Sequence, residues 1–257
     1  MIFSGDVKSS TSGIGVGLGL KSNFWYQRLK YNYYSSETTT SSTSTANSIT
    51  GEEGLEIVTS AMTFRISEDT RDNYFNPKSG HLISFANTLA GFGGDSSFIK
   101  SVVKSKIFFP INYGDYTLGL KSGLGFINSL DDKITSSNRF RLGGKTLRGF
   151  DNNGVGPRDT GNNQVVGGNN FYNLSIELNS DEWMPSDTGL NWLVFSDIGS
   201  IWGTDYEVGV QGYDDIAPRI TYGFGLSMIT PVGPLQMIWG FPIQSENYDL
   251  EERFQFS

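Results

Sequence analysis

Four apolar residues, Ile14, Val16, Leu18 and Leu20, alternate without a break with four glycines, Gly13, Gly15, Gly17 and Gly19. Successive side chains of an extended chain point to opposite faces, so this segment carries branched side chains on one face and hydrogen atoms on the other. It reads as a strand. The same period of two returns in Trp25, Leu29, Tyr31 and Tyr33 opposite Tyr26, Arg28, Lys30 and Asn32. It recurs in Tyr116, Leu118, Leu120, Leu124 and Phe126 opposite Thr117, Gly119, Lys121 and Gly123. Two further runs set Tyr172, Leu174, Ile176 and Leu178 against Asn173, Ser175 and Glu177, and Ile220, Tyr222, Phe224, Leu226 and Met228 against Arg219, Thr221, Gly223 and Gly225. Weaker alternation over 55–66, 81–90, 98–109, 191–202, 234–243 and 252–257 brings the expectation to about eleven strands of roughly ten residues.

A soluble sandwich also alternates, with its apolar face inward. Composition argues for the opposite arrangement. Charged residues are 18% of the chain, aromatics are 14%, and there are 32 glycines in 257 residues. A strand with one face in lipid and the other in a wet lumen has this balance, and aromatics near strand ends suit the two membrane interfaces. No run of eighteen apolar residues exists, so any membrane crossing must be made by strands closed into a barrel.

The connections alternate in length. Short ones are expected near 21–24, 67–80, 110–115, 179–189 and 230–234, and longer ones near 35–53, 91–97, 127–170, 203–217 and 243–251. Barrels of the outer membrane place short turns on the periplasmic side and long loops outside. Residues 35–50, nearly all Ser and Thr, are expected to form a mobile outer loop, because they offer too little apolar area to fold alone.

The longest connection contains Arg141-Leu142-Gly143-Gly144-Lys145-Thr146-Leu147-Arg148-Gly149-Phe150, followed by Gly154-Val155-Gly156-Pro157-Arg158. A Gly pair, a hydrophobic-Arg-Gly-Phe tetrad and a Gly-Pro-basic step in this order resemble the lumen-folded loop of BamA-type outer-membrane assembly factors, the surface-antigen D15 superfamily. Phe195-Ser196-Asp197-Ile198-Gly199 resembles the family's Phe-x-Asp-x-Gly strand, and Pro231-Val232-Gly233-Pro234 its periplasmic turn. Phe254 and Phe256 resemble the start of its C-terminal strand signal, and Tyr74-Phe75-Asn76-Pro77 a mid-barrel turn. The likeness covers residues 54–257, and more weakly the rest.

The resemblance implies an all-β fold, an antiparallel transmembrane β-barrel of which residues 1–257 are the C-terminal portion, about eleven of sixteen strands, with a long lumen-folded loop. The N-terminal strands and the POTRA repeats would then be absent, and the lack of a signal peptide after Met1 points the same way. It implies an outer-membrane barrel that folds and inserts other barrel proteins, using a weak seam between first and last strands. The implied partners are outer-membrane lipid, nascent barrel proteins, assembly-complex lipoproteins and periplasmic chaperones. A related translocation-assembly or two-partner secretion transporter, or the barrel of a patatin-like lipase fusion, would share the loop.

Arg148 in a lumen needs acceptor oxygens in a fork geometry. Glu177 and Asp197 lie on the two strands after the loop and have inward parity, so they can be its partners or simply solvated lumen charges. The resemblance favours the clamp, with Phe150 as an apolar plug against residues such as Phe195, and Gly149 giving the loop a tight path beside the wall.

Other chemistries find no support. Gly144-Lys145-Thr146 lacks the earlier Gly of a phosphate-binding loop, since Arg139 stands there. His81 is the single histidine and cysteine is absent, which removes thiolate sites and leaves no His cluster for a metal. Asp69, Asp72, Asp131 and Asp132 do not follow calcium-loop spacing. A net charge of −8 opposes nucleic-acid binding. No cofactor, metal or catalytic residue is expected.

Overall fold

The computed structural model describes residues 7–40, 52, 54–131, 133–180, 190–205, 207–230 and 233–256. Ten long strands build one antiparallel wall: β1 (Val7–Ser22), β2 (Trp25–Thr40), β3 (Glu56–Asp69), β4 (Gly80–Gly94), β5 (Phe98–Ile111), β6 (Tyr116–Ser129), β9 (Asn170–Ser180), β10 (Leu190–Trp202), β12 (Arg219–Thr230) and β13 (Gly233–Gln244). The short β15 (Phe254–Phe256) completes it, in the order β1-β2-β3-β4-β5-β6-β9-β10-β12-β13-β15. Four two-residue strands, β7 (Gly149–Phe150), β8 (Arg158–Asp159), β11 (Val210–Gln211) and β14 (Glu251–Glu252), pair in the loops, β7 with β14 and β8 with β11. Among the described residues β1 and β15 form the two edges, and the sheet is not closed.

Every neighbour in the wall follows its predecessor in the sequence, the up-and-down connectivity that period-two segments joined by short turns dictate. Side-chain exposure reports which face is which. Leu124, Phe126, Leu174, Ile176, Tyr222 and Phe224 are 42–52% exposed, while their neighbours Gly125, Ser175, Glu177 and Gly223 are buried. A soluble fold would bury the aromatic face; here it points outward, as lipid requires. Rings meet at both ends of the outward face: Tyr116 is tilted against Trp192 at 6.1 Å, and Tyr172 meets Trp202 edge-on at 6.0 Å. Trp192 and Trp202 lie ten residues apart on β10, about 33 Å of strand or about 23 Å of membrane depth at 45° tilt. No helix among the described residues is long and apolar enough to cross a membrane; in a barrel the crossing is made by strands.

Several boundaries differ from the sequence reading by a few residues, and two differ most. β2 continues through Thr40, so the connection expected over 35–53 starts later, and residues 41–51 and 53 lie outside the described set. β4 continues to Gly94, leaving only 95–97 as the turn where 91–97 was expected. There the register slips between Thr59 and Ala61, and a bulge of this kind breaks the period of two on which the sequence reading relied. Parts of the connections expected at 179–189 and 230–234 also lie outside the described residues.

The connection between β6 and β9 folds onto the inward face of the wall. Its Phe140, Leu142, Leu147, Phe150 and Val155 join Ile127, Phe171 and Ile201 of the wall in the main apolar core.

Candidate functional site

The Arg148 side chain is 10% exposed and lies over the inward face of β9 and β10. Its Nε and Nη2 donate to Asp197 Oδ2 and Oδ1 at 2.8 and 2.7 Å, a bidentate fork, and its own backbone amide donates to Oδ2 at 3.1 Å. Nη1 donates to Glu177 Oε2 at 2.5 Å and Nη2 also to Ser175 Oγ at 2.9 Å. Antiparallel register makes this possible: Asp197 stands opposite Ser175, and Phe195 opposite Glu177, so one guanidinium reaches four inward positions on two strands. The Asp197 and Glu177 side chains are 2% and 7% exposed, which is why the pairing must be complete: a carboxylate so buried is costly without donors.

Glu177 has further donors in Lys121 Nζ at 2.9 Å and Asn179 Nδ2 at 3.1 Å. Two cations, Arg148 and Lys121, thus pair directly with the two carboxylates. Asp197 depends on Arg148, whereas Glu177 is shared.

The Phe195 ring lies beneath the guanidinium, 3.6 Å from Arg148 Cζ to the ring centre, a cation–π stack. This corrects the expectation that Phe195 receives Phe150. Phe195 clusters with Leu193 and Ile238, while Phe150, fully buried, belongs to the main core with Leu142, Leu147 and Val155. Arg148 lies just before β7 and Phe150 ends it, and their side chains enter separate environments, one over Phe195 and the other in the main core.

Gly149 has φ +92°, and a Cβ there would stand 2.9 Å from Thr221 Oγ1 and 3.3 Å from the Gly240 carbonyl carbon. Gly240 answers it: a Cβ there would meet the Gly149 amide nitrogen at 2.6 Å. Loop and wall therefore touch backbone to backbone, which only glycine on both sides permits.

The other residues singled out in sequence have separate places. Gly143 and Gly144 open the one-turn 3-10 helix Gly144–Thr146, closed by Thr146 Oγ1 donating to the Gly143 carbonyl at 2.7 Å. Gly156 abuts Ile201, and the Pro157 carbonyl accepts from the Val166 amide at 2.9 Å. Gly199 gives Leu142 and the Tyr172 carbonyl room against β10. Phe254 and Phe256 are not in the site: they lie on β15, exposed, with Phe254 5.2 Å from the Trp239 ring. His81 is the second residue of β4 and contacts Glu68.

Sequence reasoning missed Ser175, Lys121 and Asn179 as members of the site, and Gly240 as the wall beneath Gly149. All of them carried inward parity or a wall position, but their meeting with the loop depends on register, which parity does not give. Among the described residues no group of three or more His, Cys, Asp or Glu could hold a metal ion.

The profile of the Omp85 superfamily domain matches residues 3–257. The chain belongs to the Omp85 superfamily. Among curated relatives it is 32% identical over 191 residues to the outer membrane protein assembly factor BamA of Neorickettsia risticii (strain Illinois), covering 74% of this chain and 25% of that protein. It is 28% identical over 199 residues to a SAM50-like protein of Schizosaccharomyces pombe, covering 74% of this chain and 42% of that one. The chain thus spans between about a quarter and under half the length of these relatives. Among solved structures, BamA from Haemophilus ducreyi lacking POTRA domains 1-3 superposes with TM-score 0.87 at 20% identity over 97% of this chain and 54% of that one. CdiB from Escherichia coli superposes less well, with TM-score 0.62 at 14% identity over 96% of this chain and 44% of that one. These likenesses establish an Omp85 barrel fold of the BamA type, and the match extends over β1 and β2, where the sequence motifs were weak.

Proposed function

We propose that this Omp85 chain is the barrel component of an outer-membrane protein assembly factor, which folds nascent β-barrel proteins and inserts them into the outer membrane. The relationship to BamA and SAM50 proteins, named as assembly components, carries the reading. The BamA-type fold and the outward aromatic face support it. The protein lies in the outer membrane, with strands crossing lipid.

The work proposed is physical and not catalytic. An incoming chain needs its backbone groups paired before they meet hydrocarbon, and a sheet edge supplies unpaired N–H and C=O groups as a template. A rigid lumenal loop, held by Arg148 to Asp197 and Glu177, keeps the wall beside that edge in shape. The clients are nascent barrel proteins; lipoproteins and periplasmic chaperones would act on other parts of a longer protein carrying POTRA repeats and the remaining strands.

Depletion of the protein in its host tests the proposal. Heat-modifiable outer-membrane barrels should disappear and unfolded barrel precursors accumulate, with rescue by the wild-type gene. Unchanged barrel levels after full depletion would reject the reading.

A further inference from the structure

We propose that the Arg148 loop is the positioning element of the terminal strand: the loop and the segment leading into β15 form one ribbon, so that release of the guanidinium clamp frees the sheet edge. This rests on the assembly reading only for its purpose; the physical coupling stands on the contacts alone.

The contacts run without a gap. Gly149 pairs in register with Glu252 and Phe150 with Glu251. The Asp151 amide donates to the Leu250 carbonyl at 2.9 Å, the Leu250 amide to the Gly154 carbonyl at 2.9 Å, and the Gly156 amide to Asp249 Oδ1 at 3.3 Å. Beyond the ribbon, Gln255 Nε2 donates to the Phe150 carbonyl at 2.6 Å, tying β15 itself to the residue two positions after Arg148. On the wall side the described part of β15 has three register pairs, Phe254, Gln255 and Phe256 with Trp239, Ile238 and Met237. The Gly240 amide, which donates to the Arg253 carbonyl at 2.9 Å, lies directly under Gly149.

Arg148 therefore sits at the junction of two supports. Its side chain grips β9 and β10, and the next two residues are strand mates of the segment that delivers β15. Without the grip, Gly149 and Phe150 lose their fixed position, and the β14 residues lose the partner that aligns them. Coupling of this kind is reciprocal: weakening the strand end must loosen the loop end.

Hydrogen exchange of the full-length protein in detergent micelles, without any client, tests this from both ends. Gln255→Met removes the donor while leaving the clamp residues intact. The Asp151 and Leu250 amides should exchange about fivefold faster or more, with amides of β3–β6 unchanged. Arg148→Ala should raise exchange at Leu250 and Gly240, whose amides are bonded to Gly154 and Arg253 and not to the removed guanidinium. Protection of Asp151 and Leu250 unaltered by Gln255→Met, or of Leu250 and Gly240 unaltered by Arg148→Ala, would overturn the proposal. If Arg148→Ala does not fold, the Gln255→Met arm decides alone. A wild-type protein that cannot fold a client would sink the assembly reading and leave the exchange result standing.

Discussion

Removing Arg148 should not weaken its two carboxylate partners equally. In Arg148→Ala, Asp197 loses both fork bonds and the charge that balanced it, and the backbone amide of residue 148 is the remaining donor from this site. Glu177 keeps Lys121 Nζ at 2.9 Å and Asn179 Nδ2 at 3.1 Å. Stranding a carboxylate 2% exposed places the total cost of Arg148→Ala at about 3–5 kcal/mol, well above the ~0–1 kcal/mol of a surface pair. A double-mutant cycle then divides it. Arg148→Ala with Asp197→Ala should show a coupling of about 2–3 kcal/mol, and Arg148→Ala with Glu177→Ala about 1 kcal/mol. Arg148→Lys should recover part of the loss, because an ammonium can meet one carboxylate but cannot form the planar fork. The assay is reversible urea unfolding of full-length protein in lipid vesicles, followed by tryptophan fluorescence. Additive single changes, or a Glu177 coupling equal to that of Asp197, would refute the reasoning.

Three further outcomes are expected. Single cysteines carrying spin labels along 219–228 should be quenched by a lipid-phase quencher at Tyr222, Phe224 and Leu226 and protected at Thr221 and Gly223; equal quenching at both parities would contradict a lipid-facing wall. Gly240→Ala should destabilise by about 1–3 kcal/mol, because its methyl group would press on the Gly149 backbone, which cannot turn aside as a side chain can; a neutral effect would mean that loop and wall do not touch there. In the outer loops, burial pushes the Asp215 carboxyl up, but the Tyr248 hydroxyl at 2.5 Å, the Ala217 amide and Arg219 outweigh it and hold it below the ordinary value. A depressed carboxylate contributes stability above its unfolded value, near 3.8, and that stability is lost as pH falls through the lower folded value. Proteolysis of the 203–218 loop should therefore stay slow at pH 5 and rise only well into acid, and Asp215→Asn should remove the dependence; a transition near neutrality would contradict it.

The wall was legible in the sequence because lipid on one side and water on the other enforce a period of two that no helix or loop imitates. Tyr222, Phe224 and Leu226 declared their face by parity alone. Strand ends were less legible: Ser35–Thr40 reads as loop by composition, yet pairs with β1 because extension beyond the membrane asks only for backbone partners. The site was half legible. Parity put Glu177 and Asp197 inward, but parity cannot say which inward residues are neighbours, and so Ser175 and Lys121 went unnoticed. Phe195 was assigned to the wrong partner for a related reason: Arg148 and Phe150 share one short segment, and only the path of the backbone past Gly149 decides which of them lies over β10. The pairing of 149–150 with 251–252 left no local signal, since a two-residue strand has no periodicity.

Reconstitution tests whether an Omp85 barrel with a clamped lumenal loop assembles other barrel proteins. Full-length protein in lipid vesicles would be given a urea-denatured outer-membrane barrel, and its folding followed by the shift in cold gel mobility. Folding at least about tenfold faster than in empty vesicles is expected, equal to about 1.4 kcal/mol of barrier, with most of that gain lost in Arg148→Ala. Folding no faster than in empty vesicles, or an Arg148→Ala protein as active as wild type, would contradict it.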